Sequence, residues 1–463
     1  MARLVVVSNR VPMPTERGPR AGGLAIALAD ALRPGSLWFG WSGRRSARTD
    51  HQPAMQEAGG VTYATIDLSE TDYRLFYAGY SNGALWPLLH YRLGLVDYRT
   101  EEYEGYRAVN RRFAACIAPL LRPDDLVWVH DYHLIPLGQE LRARGVRNRI
   151  GFFLHTPFVP PELVYALPQA NEVLASFCAY DVVGFHTLGY RAAFLACMQA
   201  VPGIEPQRMP RVIVDPIGID ADGFAAMAAE SLRGAEARRM KASLAARSLA
   251  IGVDRLDYSK GLVNRFEAFA RLLAKYPQHR RRVSFLQVAP RSREDLGAYQ
   301  ALRQQLDRVV GDTNGQYSEF DWTPLRYMTR TVARRTLAGF YRIARVGVVT
   351  PLRDGLNLVA KEFIAAQDPD DPGVLVLSRF AGAADELTEA LIVNPFDADE
   401  IAEAMHTAFT MGIAERRSRH AKLRARVHES TAARYCERFL SHLAPPLPAT
   451  ESQHVFELAT QGI

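Results

Sequence analysis

Short apolar segments alternate with longer amphipathic segments along the whole chain, and this alternation constrains the fold more than any other feature. A polar or Gly/Pro turn and then a helical pattern follow each apolar segment. In the first half the predicted strands are Leu4–Val7, Leu126–Val129, Ile150–Leu154 and Asp181–Phe185. In the second half they are Leu249–Val253, Val283–Val288, Val346–Thr350 and Val374–Leu377. Strands that alternate with helices form βαβ units, so the pattern predicts an α/β fold with parallel sheets.

The chain of 463 residues is too long for a single core, which favours two domains. The charged segment Glu230–Arg247 is typical of an exposed helix and follows the turn-rich Pro216–Asp220. We therefore predict a first domain over residues 1–235 and a second over 236–440. Residues 441–463 form a predicted tail that packs back on the first domain. Both domains are expected to be doubly wound, Rossmann-like sheets that face a shared cleft.

Composition narrows the class of partner. The net charge of +6 comes from scattered arginines rather than a basic block, so nucleic acid is not an expected partner. No apolar segment approaches the ~20 residues of a membrane span, and no signal peptide is evident. The four cysteines are far apart and lack CxxC spacing, which disfavours zinc and disulfides. These features predict a cytoplasmic protein with an anionic small substrate.

The segment Val348–Glu362 carries the strongest chemical signal. A β-branched run leads to Gly355 and Asn357, which suit a tight turn, and then to a helix. The backbone N–H groups of residues 357–360 would point out of the N-terminus of that helix, where they could hold an anion. Glu362 lies one turn further on and could meet a hydroxyl. This arrangement fits a nucleotide sugar, although an ordinary βα loop explains the pattern equally well.

Two histidine-containing segments follow predicted strands. Asp131 lies between His130 and His133, and a carboxylate there can bind sugar hydroxyls or transfer protons. His155 precedes a Pro-rich loop that would hold it in place. These histidines could instead be packed in the core, or ligate a metal, although no further ligand cluster is clear.

Basic side chains follow two strands of the second half. Arg255 and Lys260 could clamp a diphosphate, or form surface salt bridges with Asp254 and Asp257. Arg293 follows the next strand and indicates a second anionic group.

Further candidates lie in the first half. Arg10 follows the first strand, and Gly22 and Gly23 precede a helix without forming the GxGxxG fingerprint of dinucleotide sites. Tyr77 and Trp86 lie beside Gly or Pro turns, where aromatic rings either stack on sugars or belong to the core.

Taken together, the ordered motifs resemble the trehalose-6-phosphate synthases, which are retaining glucosyltransferases of the GT-B class. The matching segments are Arg3–Arg10, Gly22–Leu24, Leu37–Gly43, Leu85–Pro87, Trp128–Leu134, Asn148–His155, Arg255–Gly261, Thr350–Glu362 and Ser378–Ala383.

The resemblance implies transfer of glucose from a nucleotide sugar to glucose 6-phosphate, giving α,α-trehalose 6-phosphate and a nucleoside diphosphate. UDP-glucose is the expected donor by analogy, since the sequence does not settle the base. In such enzymes the leaving phosphate takes the acceptor proton on the same face of the sugar. Basic side chains and a helix dipole stabilise the diphosphate, so no metal or cofactor is expected. A homo-oligomer is also implied.

Residue by residue, the resemblance assigns two binding sites. The implied acceptor residues are Arg10, Tyr77, Trp86, Asp131 and Arg293. The implied donor residues are Gly22, Gly23, Arg255, Lys260, Leu358, Val359, Ala360, Lys361 and Glu362. Trp86 and His155 would select the acceptor anomer, and Asp354 would lie at the transferred glucose. The implied catalytic set is Asp131, His155, Arg255, Lys260, Asp354 and Glu362.

Some segments depart from the family pattern. His155-Thr-Pro-Phe-Val-Pro replaces the usual His-Ile-Pro-Phe-Pro, and the segments at 12–20 and 201–214 are short. Two alternatives remain: a synthase with another phosphorylated acceptor, such as glycerol 3-phosphate, and a catalytically idle regulatory homologue. A dehydrogenase is disfavoured because the GxGxxG fingerprint is missing.

Overall fold

The computed structural model describes residues 2–13, 28–29, 32–47, 52–293 and 297–444. Gly22, Gly23 and most of the 12–20 segment lie outside the described residues, as does the predicted tail beyond residue 444. Within the described ranges the chain forms two β-sheets, one from each half.

The first sheet is built from eight strands of the described residues. They are β1 Leu4–Arg10, β2 Leu37–Arg45, β3 Ala54–Ala58, β4 Val61–Leu68, β5 Leu126–His130, β6 Arg149–Phe153, β7 Val182–Phe185 and β8 Arg211–Val214. Their order is β3-β4-β2-β1-β5-β6-β7-β8. The β3–β4 hairpin at one edge is antiparallel, and the other neighbours run parallel.

The second sheet is parallel throughout its six described strands. They are β9 Ser248–Val253, β10 Val283–Val288, β11 Leu325–Met328, β12 Val346–Val349, β13 Val374–Ser378 and β14 Leu391–Val393. Their order is β11-β10-β9-β12-β13-β14.

Helices connect most of these strands. A π-helix, Tyr73–Leu85, separates the first two short α-helices. The α-helices are α1 Glu70–Asp72, α2 Trp86–Leu89, α3 Thr100–Ile117, α4 Leu137–Ala143, α5 Pro161–Val164, α6 Ala170–Ala175, α7 Leu188–Ala200, α8 Ala221–Ser231, α9 Ala235–Leu244, α10 Leu262–Lys275, α11 Gly297–Tyr317, α12 Arg334–Ile343, α13 Leu358–Ala366, α14 Ala398–Thr410, α15 Ile413–Glu429 and α16 Ala432–Leu443.

Each sheet is covered on both faces. Along β10, for example, Phe285 belongs to one hydrophobic cluster and Leu286 to the other, as the period of two residues along a strand requires. The strand order reverses beside β1 and beside β9. Such switch points are where open α/β sheets bind ligands, and both precede predicted site residues. The doubly wound α/β prediction is therefore confirmed.

The eight predicted strands are all present, and no bound differs from the predicted one by more than three residues. Six strands of the described residues were not predicted. Four of them, β3, β8, β11 and β14, are short strands of three to five residues at a sheet edge, whereas β2 and β4 are longer and lie inside the first sheet. The helix predicted over Glu230–Arg247 is present only over Ala235–Leu244, as α9. Leu232–Gly234 separate α8 from α9, because Gly234 has extended backbone and caps α9. The proposed domain boundary at 235/236 stays a prediction.

The last described helix returns to the first sheet. On α16 the Phe439 ring stacks on Trp128 of β5, with centroids 4.4 Å apart. Gly151 and Gly184 make room for it, since a Cβ on either would lie 2.5 or 3.2 Å from the Phe439 ring. The C-terminal segment thus ties the second half of the chain to the first.

Candidate active site

A cavity of about 450 Å³ lies between the two halves of the chain. This volume suits a small organic ligand. Nine of the predicted site residues line it: Trp86, Asp131, His155, Arg255, Lys260, Asp354, Leu358, Val359 and Glu362. The first three come from the first half of the chain and the others from the second.

Lys260 forms the centre of the second-half wall. It ends a 3-10 turn after β9, which Asp257 caps by accepting a hydrogen bond from the Ser259 N–H at 2.9 Å. Gly261 follows with φ of 64°, a conformation that favours glycine, and opens α10. The Lys260 Nζ lies 2.5 Å from Asp354 Oδ2. The local fold therefore aims a buried ammonium at the carboxylate of a neighbouring loop.

The alternative of surface salt bridges from Arg255 or Lys260 to Asp254 and Asp257 is wrong. Asp254 pairs with the fully buried Arg265 at 2.7 Å. Asp257 pairs with Arg293 at 3.1 Å. Both acids are thus engaged by other arginines, which leaves Arg255 and Lys260 on the cavity wall.

Asp354 is held as a carboxylate. Burial raises its pKa, but the charge and hydrogen bond of Lys260 and the Asn357 amide lower it more, so the net pKa lies below its usual value. Asn357 Nδ2 donates to Asp354 Oδ2 at 3.0 Å. The result is a fixed negative charge beside a fixed positive charge.

The predicted helix start is present at α13. Asn357 is its N-cap, with φ of 86°, and its side-chain oxygen accepts from the Ala360 N–H at 3.3 Å. The Ala360 N–H is therefore already bonded, which corrects the expectation that all the N–H groups of residues 357–360 point out of the helix. The Lys361 side chain is buried away from the cavity, where Nζ contacts Ile217 O at 2.9 Å and Glu386 Oε2 at 2.6 Å.

Glu362 lines the cavity one turn into α13. Its Oε1 accepts from Arg334 Nε at 3.3 Å. Burial raises the pKa of Glu362, and the Arg334 charge lowers it in part. Sequence reasoning missed Arg334, although a signal existed: α12 begins with two arginines at its N-terminus, where the helix dipole disfavours positive charge.

The first-half wall centres on Trp86. The guanidinium of Arg293 lies 4.1 Å from the centre of its ring, and that of Arg255 lies 5.6 Å away. Within the part of the chain that the structure describes, the buried Trp86 indole N–H has no hydrogen-bond partner. A ligand acceptor atom could satisfy it, since a buried donor left unpaired is costly.

Arg293 crosses from the second half to the first. Its Nη2 donates to the Tyr132 hydroxyl at 3.1 Å, while Nη1 donates to Tyr299 at 2.6 Å and to Asp257. The structure therefore brings Arg293 and Arg255 to the same aromatic side chain. Both arginines belong to the second half, where they follow β9 and β10.

Two predicted acceptor residues stand further from the cavity wall. Tyr77 stacks parallel to His133, with centroids 5.8 Å apart, and against Trp41 at 5.5 Å. Arg10 is exposed at the end of β1, over Gly43, where an added Cβ would lie 2.7 Å from the Arg10 Nε. The structure gives neither side chain a lining position, so their roles stay predictions.

Asp131 has an unusual backbone and an unusual acidity. Its φ is 75°, and its carboxylate accepts from the His155 N–H at 3.3 Å. Burial raises the pKa of Asp131 to about 6, although nearby N–H groups and Arg255 and Arg293 act against this. A carboxylate that titrates near neutrality is typical of a functional site.

The histidines beside Asp131 are neutral. His130 Nδ1 lies 3.0 Å from His155 Nε2. Burial lowers the pKa of His155 to about 3, and burial together with His155 lowers that of His130. No three His, Cys, Asp or Glu side chains among the described residues form a group that could hold a metal ion. Across the same residues, no helix is both long and apolar enough to cross a membrane.

Comparison with known proteins agrees with this geometry. The sequence model of Glycosyltransferase family 20 matches residues 2–445. A trehalose-6-phosphate synthase of Sinorhizobium fredii is 47% identical over 456 residues, which cover 96% of this chain and 98% of that protein.

Solved structures are equally similar. One is a crystal structure of an α,α-trehalose-phosphate synthase (UDP-forming) from Burkholderia xenovorans in complex with glucose 6-phosphate. It has a TM-score of 0.92 and 47% identity, covering 96% of this chain and 100% of that one. An E. coli structure bound with UDP-2-fluoro glucose has a TM-score of 0.91 and 46% identity over the same shares of the two chains. The chain therefore belongs to glycosyltransferase family 20.

Proposed function

We propose that this protein is a retaining glucosyltransferase that moves glucose from UDP-glucose to glucose 6-phosphate. The products are α,α-trehalose 6-phosphate and UDP, which places the reaction in trehalose biosynthesis. One observation carries the proposal: Trp86 and Asp131 of one half line the same cavity as Arg255, Lys260 and Asp354 of the other.

The donor lies on the second-half side. Arg255 and Lys260 face its diphosphate, and the start of α13 adds the positive end of a helix dipole. The ammonium of Lys260 has three N–H groups, so it can bind a phosphate oxygen while it keeps its bond to Asp354. Glu362, held by Arg334, accepts hydrogen bonds from donor hydroxyls. Relatives named as UDP-forming, and one bound with UDP-2-fluoro glucose, support UDP as the base.

The acceptor lies on the first-half side. Its phosphate is placed near Arg293 and Arg10, and its hydroxyls near Asp131, the Trp86 indole N–H and His155. Arg293 is already fixed by Tyr132, Tyr299 and Asp257, so it loses little freedom when it binds a phosphate. A relative solved with glucose 6-phosphate supports this acceptor.

Charge stabilisation drives the transfer. As the bond between glucose and the diphosphate breaks, negative charge grows on the leaving phosphate, and Arg255 and Lys260 stabilise it. The leaving phosphate takes the proton from the attacking hydroxyl on the same face of the sugar, which retains the configuration. Proton transfer to a protein base is not part of this route. No metal or cofactor is needed in the proposal, since side-chain cations balance the diphosphate.

The experiment measures products with both substrates varied. The purified protein is incubated with UDP-, GDP- or ADP-glucose and with glucose 6-phosphate or glycerol 3-phosphate. We expect nucleoside diphosphate and trehalose 6-phosphate only when UDP-glucose and glucose 6-phosphate are both present. Turnover with glycerol 3-phosphate but not with glucose 6-phosphate would favour the alternative acceptor. No turnover with any donor and acceptor pair would favour the idle homologue. A homo-oligomeric state and a cytoplasmic location stay predictions.

A further inference from the structure

The first turn of α7 touches the loop that carries Asp354. The Thr187 hydroxyl caps α7 by accepting a hydrogen bond from the Tyr190 N–H at 3.1 Å. With this turn fixed, the Tyr190 hydroxyl donates to the main-chain carbonyl of Asp354 at 2.9 Å. Tyr190 belongs to the first half of the chain and Asp354 to the second. The hydrogen bond therefore spans the two halves.

Several other bonds hold Asp354 from within the second half. Its N–H donates to Phe380 O at 3.0 Å, and its carbonyl accepts from the Gly382 N–H at 3.2 Å. Its carboxylate accepts from Lys260 and Asn357. Tyr190 adds a tether from the opposite side of the cleft, so the position of Asp354 depends on how the two halves meet.

The loop around Asp354 meets the first half at very short range. A Cβ on Gly355 would lie 1.8 Å from the His155 carbonyl oxygen, so only glycine fits there. The Arg353 guanidinium lies 3.7 Å from the centre of the Tyr91 ring. These contacts require the halves to be close together. The Tyr190 hydroxyl bonds the same loop, so this hydrogen bond also forms only when the two halves are close together.

The Tyr190 hydroxyl remains a donor. The residue is only 7% exposed, and burial raises its pKa well above the usual value, so it keeps its proton. Tyr190 is not among the described residues that line the cavity, which means that it acts through Asp354 rather than through substrate.

We propose that Tyr190 is a positioning residue for glucosyl transfer. By holding the Asp354 carbonyl from across the cleft, it sets the Asp354 carboxylate at the transferred glucose when the two halves are closed. This inference rests on the proposed function. It makes the alignment of the Asp354 carboxylate a consequence of closure, which links substrate enclosure to turnover.

The test is Tyr190→Phe, which keeps the ring and removes the hydroxyl. We expect kcat to fall about fivefold, the effect of losing roughly one neutral hydrogen bond. The Kd for UDP should not change, since UDP lacks the glucose at which Asp354 acts. The thermal unfolding midpoint should stay close to that of the wild type, because the packing is kept.

Two further variants complete the test. Tyr165→Phe is the matched control, since its hydroxyl bonds Asn171 Oδ1 and Ala200 O within the first half, and its kcat should not change. Thr187→Ala loosens the turn that presents Tyr190, so as a single substitution it should lower kcat. In the double variant with Tyr190→Phe it should cause no further loss of kcat.

The inference is overturned if Tyr190→Phe turns over like the wild type. It is also overturned if kcat and UDP affinity fall by the same factor, since a general structural role would produce that result. Failure of the proposed function would look different, because the wild type itself would then make no trehalose 6-phosphate.

Discussion

The two walls of the cavity handle charge in opposite ways. On the first-half wall, burial favours neutral forms: it lowers the pKa of His155 to about 3 and raises that of Asp131 to about 6. On the second-half wall, Lys260 and Asp354 form a charged pair, and the Asp354 pKa is lowered despite burial. The comparison teaches that the wall to which we assign the diphosphate holds a charged pair. On the wall to which we assign the acceptor, the histidines are neutral and burial raises the pKa of Asp131 to about 6, so a change of pH there should act mainly through Asp131.

The largest expected effect comes from the second-half wall. Lys260→Ala removes the cation that we propose stabilises the leaving phosphate, and we expect kcat to fall by roughly 10²–10³-fold, as for other groups that stabilise transition-state charge. Steady-state kinetics with both substrates measure this, and calorimetric titration gives the UDP affinity. Lys275→Ala, which removes an exposed lysine of α10 paired with Glu403, is the control and should leave kcat unchanged. Turnover near the wild-type level, with UDP affinity unaffected, would exclude the diphosphate clamp.

The next effect belongs to the first-half wall. Because burial raises the Asp131 pKa, the carboxylate gains its proton as the pH falls below about 6, and wild-type activity should fall there. Asp131→Asn removes this group, so we expect kcat/KM to drop roughly 10- to 100-fold, the loss of a hydrogen bond to a charged group. Its remaining activity should no longer decline below that pH. An unchanged acid limb in Asp131→Asn would assign the titration to another group.

A smaller effect is expected for Arg334, which contacts Glu362 of the cavity wall. Arg334→Ala leaves Glu362 without its partner, so burial would raise the Glu362 pKa further. We expect KM for the donor to rise about threefold to tenfold, since a partly buried ion pair is weakened. The rise should grow as the pH falls. Arg335→Ala is the matched control, because Arg335 is exposed and pairs with Glu230. Equal effects of the two substitutions would show that α12 responds to lost charge in general.

The smallest expected effect concerns two histidines whose charge should not change with pH. His130 and His155 are buried and share a hydrogen bond, so both rings should stay neutral over roughly pH 5 to 8, where histidine usually titrates. Ring carbon NMR shifts of the wild-type protein can follow this directly, with His155→Gln used for assignment. A midpoint inside that range would mean that the first-half wall is hydrated and charged, which removes the contrast between the two walls.

Much of the site could be predicted from the sequence because its chemistry follows strands. Asp131, Arg255 and Arg293 were placed at strand ends, where parallel sheets gather ligand-binding groups, and all three lie in or beside the cavity. Arg334 was missed, since its role depends on the distant Glu362. The alternative that Asp254 and Asp257 pair with Arg255 or Lys260 is wrong for the same reason, because Arg265 and Arg293 reach these acids through the fold.

Gly355 shows what the tertiary structure adds to the sequence. The sequence interpretation explained it as a turn residue, but its backbone φ is not positive, and the structure gives a different reason. The His155 carbonyl of the other half leaves no room for a Cβ. Such a contact cannot be read from neighbouring residues, since it joins positions that are 200 residues apart in the chain.

The sequence by itself determined the two parallel sheets, their order along the chain and the chemical types at the strand ends, because hydrophobic period and turn residues act locally. Only the tertiary structure decided which charges meet. It buried the Lys361 side chain, bonded the Ala360 N–H to Asn357, set Lys260 against Asp354 and brought Tyr190 across the cleft. The physical reason is that ion pairing and desolvation depend on distances of a few ångströms between residues far apart in sequence.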